Sequence, residues 1–340
     1  MKILGIETSC DDTAASVVED GRFLLSNVIA SQVELHNRYG GVVPEVASRQ
    51  HVLEIIPTIE ESLSQSKCSF KDLDAIAVTN GPGLAGSLIV GLNTAKGLAF
   101  GNDLPLIGIN HLEGHIYANW LDGETPDELH GFPLLCLIAS GGHTDLILMS
   151  NHGEYELLGR TRDDAAGEAF DKAARVLGLG FPGGPEIQKA SENALGNIEM
   201  PRAWLKGSLD FSFSGLKTAF LNKAKDLGIY PPDLNKNVDA EQIRELAAGF
   251  QMSVADVIAV KTIRAANQYK VNGILLGGGV AANAKLRSVL TERSEIPVII
   301  PAPRLCTDNG AMIASCAYFK LNRGHKSPWG LDVYPNLHLG

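Results

Sequence analysis

Cysteine is scarce in this 340-residue chain, and the five present (Cys10, Cys68, Cys136, Cys306, Cys316) are odd in number, widely scattered and without a C-x-x-C pair. That pattern excludes a disulfide framework, a zinc ribbon and a thioredoxin-like redox site. Reduced, buried thiols are expected. Also lacking is an excess of positive charge: 29 Lys plus Arg against 39 Asp plus Glu leave a net charge of -10. A protein that grips nucleic acid with its whole surface is thereby excluded, so RNA must be held by a local patch or by a partner. No stretch approaches the apolar length that spans a bilayer. The opening Met1-Lys2-Ile3-Leu4-Gly5-Ile6-Glu7 turns acidic too soon for a secretory signal and lacks the Arg- and Ser-rich character of a transit peptide. No membrane contact and a cytoplasmic location are the expectation.

What is present is ordinary globular material, 45% hydrophobic and 20% charged, in a chain long enough for two cores. The apolar pattern suggests two halves with the same order of elements. The first opens with a strand Ile3 to Glu7, a turn, and a strand Ala14 to Val18; the second opens with Leu134 to Ala139, Ser140-Gly141-Gly142-His143-Thr144, and Leu146 to Met149. Each half also closes alike. Ala75 to Thr79 leads into Gly81-Pro82-Gly83, a helix from Leu84, a strand Leu106 to Ile109 and a helix near His111. Gly273 to Leu276 leads into Gly277-Gly278-Gly279, a helix from Ala281, a strand Val298 to Ile300 and a helix near Asp308. A duplicated α/β fold with two lobes, residues 1–125 and 126–340, and a central cleft is expected. Helical insertions are expected over Pro44 to Ser66, Asp163 to Leu177 and Glu241 to Tyr269, with loops over Gly228 to Val238 and from Gly324 onward.

The two turns Ser140-Gly141-Gly142-His143-Thr144 and Gly277-Gly278-Gly279 each follow an apolar strand, where bare backbone N–H groups can approach phosphate or ribose oxygens. Neither fits the G-x-x-x-x-G-K-[ST] or G-x-G-x-x-G pattern, and one such turn alone is commonly just a tight turn. Two in a duplicated fold favour a nucleotide. Asp11, in the turn after the first strand, can orient a metal-bound water or phosphate, or is an ordinary turn aspartate.

Asn110-His111-Leu112-Glu113-Gly114-His115 places two imidazoles at i and i+4, able on a helix to share one ion. Leu112 stands where H-E-x-x-H needs its general-base Glu, so proteolysis is poorly supported. The repeat offers Asp308 as a third ligand, because it begins the helix matching the one begun by His111; its plainer role is a helix N-cap. Two imidazoles and a carboxylate leave open coordination positions, as in iron, zinc or manganese chemistry.

Asp164, Glu168 and Asp171 share one face of an expected helix, whose plainer reading is a solvated acidic start. Phe181-Pro182-Gly183-Gly184-Pro185 forces a turn able to close over a sugar. Between Pro201 and Lys225, Arg202, Lys206, Lys217, Lys223 and Lys225 stand against Asp210 alone, a patch able to touch RNA phosphate.

Taken together, Gly5 to Thr13, Gly40 to Glu45, the His111/His115 pair, Ser140 to Thr144, Asp163 to Lys172, Phe211 to Lys217, Gly277 to Asn283 and Thr307 to Gly310 resemble the TsaD (Gcp-like) family over almost the whole chain. The resemblance implies the actin-like ATPase fold shared with sugar kinases, the heat-shock ATPase and actin. It implies transfer of a threonylcarbamoyl group from threonylcarbamoyl-AMP to N6 of the adenosine beside the anticodon, in tRNAs reading codons that start with A, with release of AMP. It implies one divalent ion, iron or zinc, on His111, His115 and Asp308. Ile138, Ala139, Ser140, Gly141 and Gly142 are implied at the acyl-phosphate end, and Asp171, Gly184 and Asn283 at ribose and adenine. Implied partners are tRNA, a fold-related homologous subunit and a small ATPase subunit. Family members often carry an acidic ribose contact where this sequence has Gln188. No side-chain nucleophile is implied, since the RNA amine attacks and AMP is a good leaving group. Two other readings stand beside this one: a small-molecule kinase of the same fold, and a non-enzymatic nucleotide-binding scaffold.

Overall fold

The computed structural model describes residues 1–232 and 239–339, so the loop expected over Gly228 to Val238 lies partly outside the described residues. The strands are β1 (Lys2–Glu7), β2 (Asp12–Glu19), β3 (Phe23–Leu24), β4 (Val28–Ser31), β5 (Ala75–Gly81), β6 (Leu106–Asn110), β7 (Leu134–Ala139), β8 (Thr144–Asn151), β9 (Glu154–Arg160), β10 (Gly273–Gly277) and β11 (Val298–Ile299). The helices through the first half are α1 (Val33–Asn37), α2 (Pro44–Ser66), α3 (Ala85–Gly101), α4 (His111–Tyr117) and α5 (Pro126–His130). Then come α6 (Ala166–Leu177), α7 (Gly183–Ala190), α8 (Ser214–Asp226), α9 (Ala240–Tyr269), α10 (Ala284–Arg293), α11 (Pro303–Cys306) and α12 (Gly310–Asn322).

These elements form two compact units. The first holds Met1–Gly131, Asn151–Tyr155 and Pro301–Gly340; the second holds Phe132–Ser150 and Glu156–Ile300. The contiguous division 1–125 and 126–340 therefore differs from the structure over residues 126–131 and 151–155 and, most of all, over the last forty residues. The physical reason is glycine contact. In the period-two alternation of β1, Leu4 and Ile6 face one side of the sheet and Gly5 the other. A Cβ on Gly5 would lie 2.1 Å from the Gly310 carbonyl oxygen, and one on Gly310 would lie 2.5 Å from the Gly5 carbonyl oxygen. With both side chains absent, α12 lies directly on β1.

The first sheet runs β3-β2-β1-β5-β6, with β4 also paired to β2. β1 is antiparallel to β2 and parallel to β5, which is parallel to β6. On the face opposite α12, Leu4, Ile6, Val17, Ile76 and Val78 pack with Ile55 and Ile59 of α2 and Leu92 and Ala95 of α3. Each fully buried Leu or Ile there contributes about 1.5–3 kcal/mol. Coverage of both faces explains why β5 is buried at every position.

The second sheet runs β11-β10-β7-β8-β9, with β7 antiparallel to β8 and parallel to β10. Its series β8-β7-β10-β11 repeats β2-β1-β5-β6 of the first in order and direction. The duplication legible in the sequence is thus a duplication of strand topology. One expectation on apolar length is corrected here. Ala240–Tyr269 is long and apolar enough to cross a membrane by length and composition, with a window of mean hydropathy 1.4, but 72% of that window is buried. It packs among α6, α7, α8 and α10 as the core helix of the second unit.

Candidate functional site

In the first unit, β6 delivers the chain to α4 at Asn110, whose side-chain Oδ1 accepts from the Leu112 amide at 2.9 Å and caps the helix. At the start of α12 the cap is Asn309, accepting from the Met312 amide at 2.9 Å. Because Asn309 takes that role, Asp308 is not the N-cap that its position also allowed. The two helices pack tightly through Gly114, where a Cβ would lie 2.8 Å from Ile313 Cδ1. Two asparagine caps therefore set His111 and Asp308 at facing helix starts, with His115 one turn into α4.

The three side chains converge. Asp308 Oδ1 lies 3.5 Å from His111 Nε2 and 3.3 Å from His115 Nε2, and one ligand atom from each residue falls within 4.8 Å of the others. The imidazole centroids are 4.6 Å apart and the rings nearly perpendicular. His115 is fully buried, and neither ring nitrogen has a hydrogen-bond partner; its approach to Asp308 lacks the alignment of one. A buried imidazole without hydrogen bonds is destabilising. Coordination of an ion by Nε2 removes part of that penalty, so the donor set fits a divalent metal.

Sequence reasoning quoted Glu7 inside a motif but gave it no task. It is a fully buried carboxylate at the end of β1. It accepts from the Ser9 amide at 2.5 Å and Thr79 Oγ1 at 2.5 Å, and its Oε2 lies 3.0 Å from His111 Nδ1. Ser9 Oγ stands 3.1 Å from the same nitrogen. A proton on Nδ1 bonded to Glu7 leaves Nε2 turned toward Asp308, the carboxylate–histidine arrangement that orients metal ligands. The available signal was an acidic residue ending an otherwise apolar strand.

The charges follow. Burial lowers the affinity of His115 for a proton more than nearby Asp308 raises it, so this imidazole stays neutral. Burial also opposes charging of His111, but Asp308 and Glu7 overcome it and push it up to about 9. Burial would raise Glu7, yet the charge and hydrogen bond of His111 hold it below the usual carboxylate range. In the chain alone, protonated His111 supplies positive charge between two carboxylates. Asp11 is pushed up by burial first and by Asp308 among other charges, so it senses the same cluster.

In the second unit, both glycine turns sit at the carboxyl ends of parallel strands β7 and β10, where Gly277 pairs with Ile138. That end of an open α/β sheet is where ligands bind. Ile138 and Ala139 are buried strand ends, whereas Gly141 and Gly142 are exposed with open space at each Cβ position. Ser140 folds the turn: its amide donates to the His143 carbonyl at 2.8 Å and its carbonyl accepts from Gly167 of α6 at 3.1 Å. Gly278, at φ +88°, lies against Ala139, whose oxygen would be 2.4 Å from a Cβ, while Gly279 faces open space.

Asp171 Oδ1 accepts from the Gly183 amide at 2.6 Å, tying α6 to the start of α7, where Gly184 has open space at its Cβ position. Gln188 Oε1 accepts from the Ala284 amide at 2.8 Å, which brings α7 to the start of α10. Asn283 is committed at both ends of its amide: Oδ1 caps α10 through Leu286 N, and Nδ2 donates to Gln251 Oε1 at 2.8 Å. Asp171, Gly184 and Asn283 thus belong to one connected set of helix starts.

The acidic segment differs from expectation. Asp163 and Asp164 precede α6 rather than lying on it. Asp163 accepts from Ser212 Oγ, Ser214 Oγ and the amides of Phe213 and Ser214. Asp164 pairs with Lys172 at 2.7 Å and Lys217 at 2.8 Å. Lys217 and Arg202, the latter bound to Asp256, are therefore structural. The basic patch contracts to Lys206, Lys223 and Lys225, all exposed.

Comparison with known proteins decides the family. The sequence model for "TsaD: tRNA N6-adenosine threonylcarbamoyltransferase" matches residues 23–315. The chain belongs to that family. A TsaD relative named tRNA N6-adenosine threonylcarbamoyltransferase from Dehalococcoides mccartyi (strain CBDB1) is 57% identical over 339 residues, covering 100% of this chain and 99% of the relative. Another so named, from Geobacillus kaustophilus, is 52% identical over 345 residues, covering 99% and 96%. Among solved structures, the activator of 2-hydroxyisocaproyl-CoA dehydratase from Clostridium difficile with bound ADPNP aligns at TM-score 0.54 and 15% identity over 95% of this chain and 96% of that one. HypF from T. kodakarensis aligns at TM-score 0.62 and 14% identity over 95% of this chain and 48% of that one. These likenesses show the duplicated, actin-like ATPase fold.

Proposed function

We infer that this TsaD-family chain is an acyltransferase: it moves the threonylcarbamoyl group of threonylcarbamoyl-AMP to N6 of the adenosine beside the anticodon, in tRNAs reading codons that start with A, and releases AMP. The observation that carries this is the family match over residues 23–315. The adenosine amine attacks the carbamoyl carbonyl carbon, the bond from that carbon to the phosphate oxygen breaks, AMP leaves with the electron pair, and the proton lost from the amine passes to solvent. No protein nucleophile is required.

The residues divide the work by unit. An iron or zinc ion on His111, His115 and Asp308 would supply Lewis-acid polarisation and charge stabilisation of roughly several kcal/mol. Glu7 and Ser9 orient His111, and Asn110 and Asn309 orient the helix starts that carry the ligands. The open amides of Gly141 and Gly142, in the turn that Ser140 folds beside the buried ends Ile138 and Ala139, receive the phosphate. Asp171, Gly184, Asn283 and the Gly277 to Gly279 turn hold ribose and adenine. Asn283 contributes through its backbone, since its side chain is engaged. Fixed orientation of two bound substrates then supplies much of the rate. A kinase or scaffold of the same fold has no use for two buried imidazoles converging on Asp308, which favours transfer.

With a net charge of -10 and a basic patch reduced to three exposed lysines, tRNA affinity is shared with partner subunits: a fold-related homologue and a small ATPase. Helix α3 is rich in small residues that allow close approach of another helix. Gly91 and Ala95 turn inward, Gly91 against Thr8 Oγ1, but Ala85, Gly86 and Gly97 are exposed. Ile89 of α3 and Val52, Leu53 and Ile56 of α2 are exposed as well, and we place the homologue on this apolar face. Its location is cytoplasmic, with tRNA and without membrane contact.

The test supplies threonylcarbamoyl-AMP, unmodified tRNA and the partner subunits, followed by nucleoside analysis. Threonylcarbamoyl on N6 with equimolar AMP supports the reading; phosphate transfer or no product overturns it. Paired changes Leu53→Asp and Ile89→Asp are expected to abolish co-elution with the homologue, and unchanged co-elution would remove the surface assignment.

A further inference from the structure

The corresponding glycine turns of the two units have different neighbours. In the second unit Gly279 faces open space. In the first unit Gly81-Pro82-Gly83 is covered by the segment after α12. The Gly83 amide donates to the Pro335 carbonyl at 3.1 Å, and the Tyr334 amide to the Asn80 carbonyl at 2.8 Å. A Cβ on Gly81 would lie 2.1 Å from the Tyr334 oxygen, and one on Gly108 would lie 2.7 Å from Leu331 Cδ2. The absence of side chains at these positions thus makes room for a strap formed by the chain itself. Further anchors are the Ser327 amide on the Leu106 carbonyl at 2.9 Å, Ser327 Oγ under the Gly108 amide at 2.8 Å, and Lys96 on the Leu331 carbonyl.

The strap ends on the metal helix. Asn110 Nδ2 donates to the His338 carbonyl at 3.1 Å, while Oδ1 of the same amide caps α4 at Leu112. An amide has only one plane, so fixing its nitrogen fixes the direction of its oxygen. Asn110 is buried, as is Leu339, the last described residue.

We propose that residues 327–339 are a positioning strap for the metal ligands: by holding the Asn110 amide, the His338 carbonyl fixes the first turn of α4 and therefore His111. The proposal rests on the metal reading above. Asn110 is a positioning residue, since it acts through His111 and touches no reacting atom. Groups that orient first ligands are worth about 10–100-fold in metal affinity. Loss of the strap is expected to fall in that range.

The experiment is a zinc titration with a competing chelator on the full chain, on a chain ending at Asp332, and on Asn110→Ser. Serine keeps a capping oxygen but lacks the amide nitrogen that reaches the His338 carbonyl. Both variants are expected to bind zinc at least about tenfold more weakly, with faster hydrogen exchange at Leu112 to His115. Adding a peptide of residues 333–340 should restore affinity to the shortened chain and not to Asn110→Ser. Unchanged affinity in Asn110→Ser, alone or with a well-folded shortened chain, overturns the strap while leaving the metal reading intact. If the full chain binds no zinc or iron, the metal reading fails and the strap proposal falls with it. If the shortened chain does not fold, Asn110→Ser decides between these outcomes.

Discussion

Glu7 Oε2 lies 3.0 Å from Nδ1 of His111, joining the end of the first strand to the first residue of α4. The carboxylate also accepts from Ser9 and Thr79, so it is held from three sides before any ion arrives. The proposed metal centre thus includes a residue contributed by β1.

Glu7→Gln keeps the shape and removes the charge that favours a proton on His111 Nδ1. Zinc or iron affinity is expected to fall about 10–100-fold, with little change in fold. Chelator competition measures it, and equal affinity would show that Glu7 is only a packing residue.

On the other side of α4, Glu113 is buried and bonds Lys320 at 2.7 Å and the Tyr155 hydroxyl at 3.1 Å. Removing Lys320 leaves a buried carboxylate without its cation. Lys320→Met should destabilise the chain toward the lower end of about 3–5 kcal/mol, because Lys320 is itself partly exposed. Adding Glu113→Gln should recover much of that loss. Denaturant unfolding tests the pair, and equal stability of Lys320→Met and the parent would refute the assignment.

Much of this was legible in the sequence. The paired strand-turn-strand openings stand where the apolar pattern has them, and His111, His115 and Asp308 come together as the i, i+4 spacing and the helix starts suggest, because periodicity and spacing are local signals. The return of α12 to β1 was not legible, because it depends on Gly5 and Gly310 meeting across roughly 300 residues of sequence. Asn283 was read as a ligand contact. Its engagement with Gln251 and Leu286 depends on side-chain direction, which spacing does not carry. The segment after Gly324 reads as a loop because its own hydrogen bonds are isolated turns at Pro328 and Tyr334, while its others go to distant strand ends.

The glycine turn of the second unit offers a cleaner probe than Gly278. A side chain at Gly278 would strike Ala139 and strain a backbone at φ +88°, so its loss of binding would not identify ligand contact. Gly279→Ala projects into open space. It is expected to leave stability unchanged and weaken adenylate binding severalfold, as measured by calorimetry; unchanged binding would move the adenylate away from this turn.

Asp12 is pushed up to about 7, chiefly by burial, against a hydrogen bond from Ser31 and together with the charges of Asp308, Asp11 and Glu7. Its folded-state pKa lies above its unfolded value, so protonation stabilises the fold, and that contribution is lost as pH rises from about 4 to about 7. In metal-free protein, Asp12→Asn should match the parent in melting temperature near pH 4 and exceed it by several degrees above pH 7. Parallel curves across that range would contradict the environment described for Asp12.

The most direct test of the central claim is single-turnover transfer by protein stripped of metal, with partners, threonylcarbamoyl-AMP and unmodified tRNA present, before and after one equivalent of iron or zinc. Modified adenosine is expected to form only after reloading in the parent, and to remain absent in His115→Ala, which should retain no ion. Modification at full rate by the stripped parent, or by His115→Ala, would contradict the account.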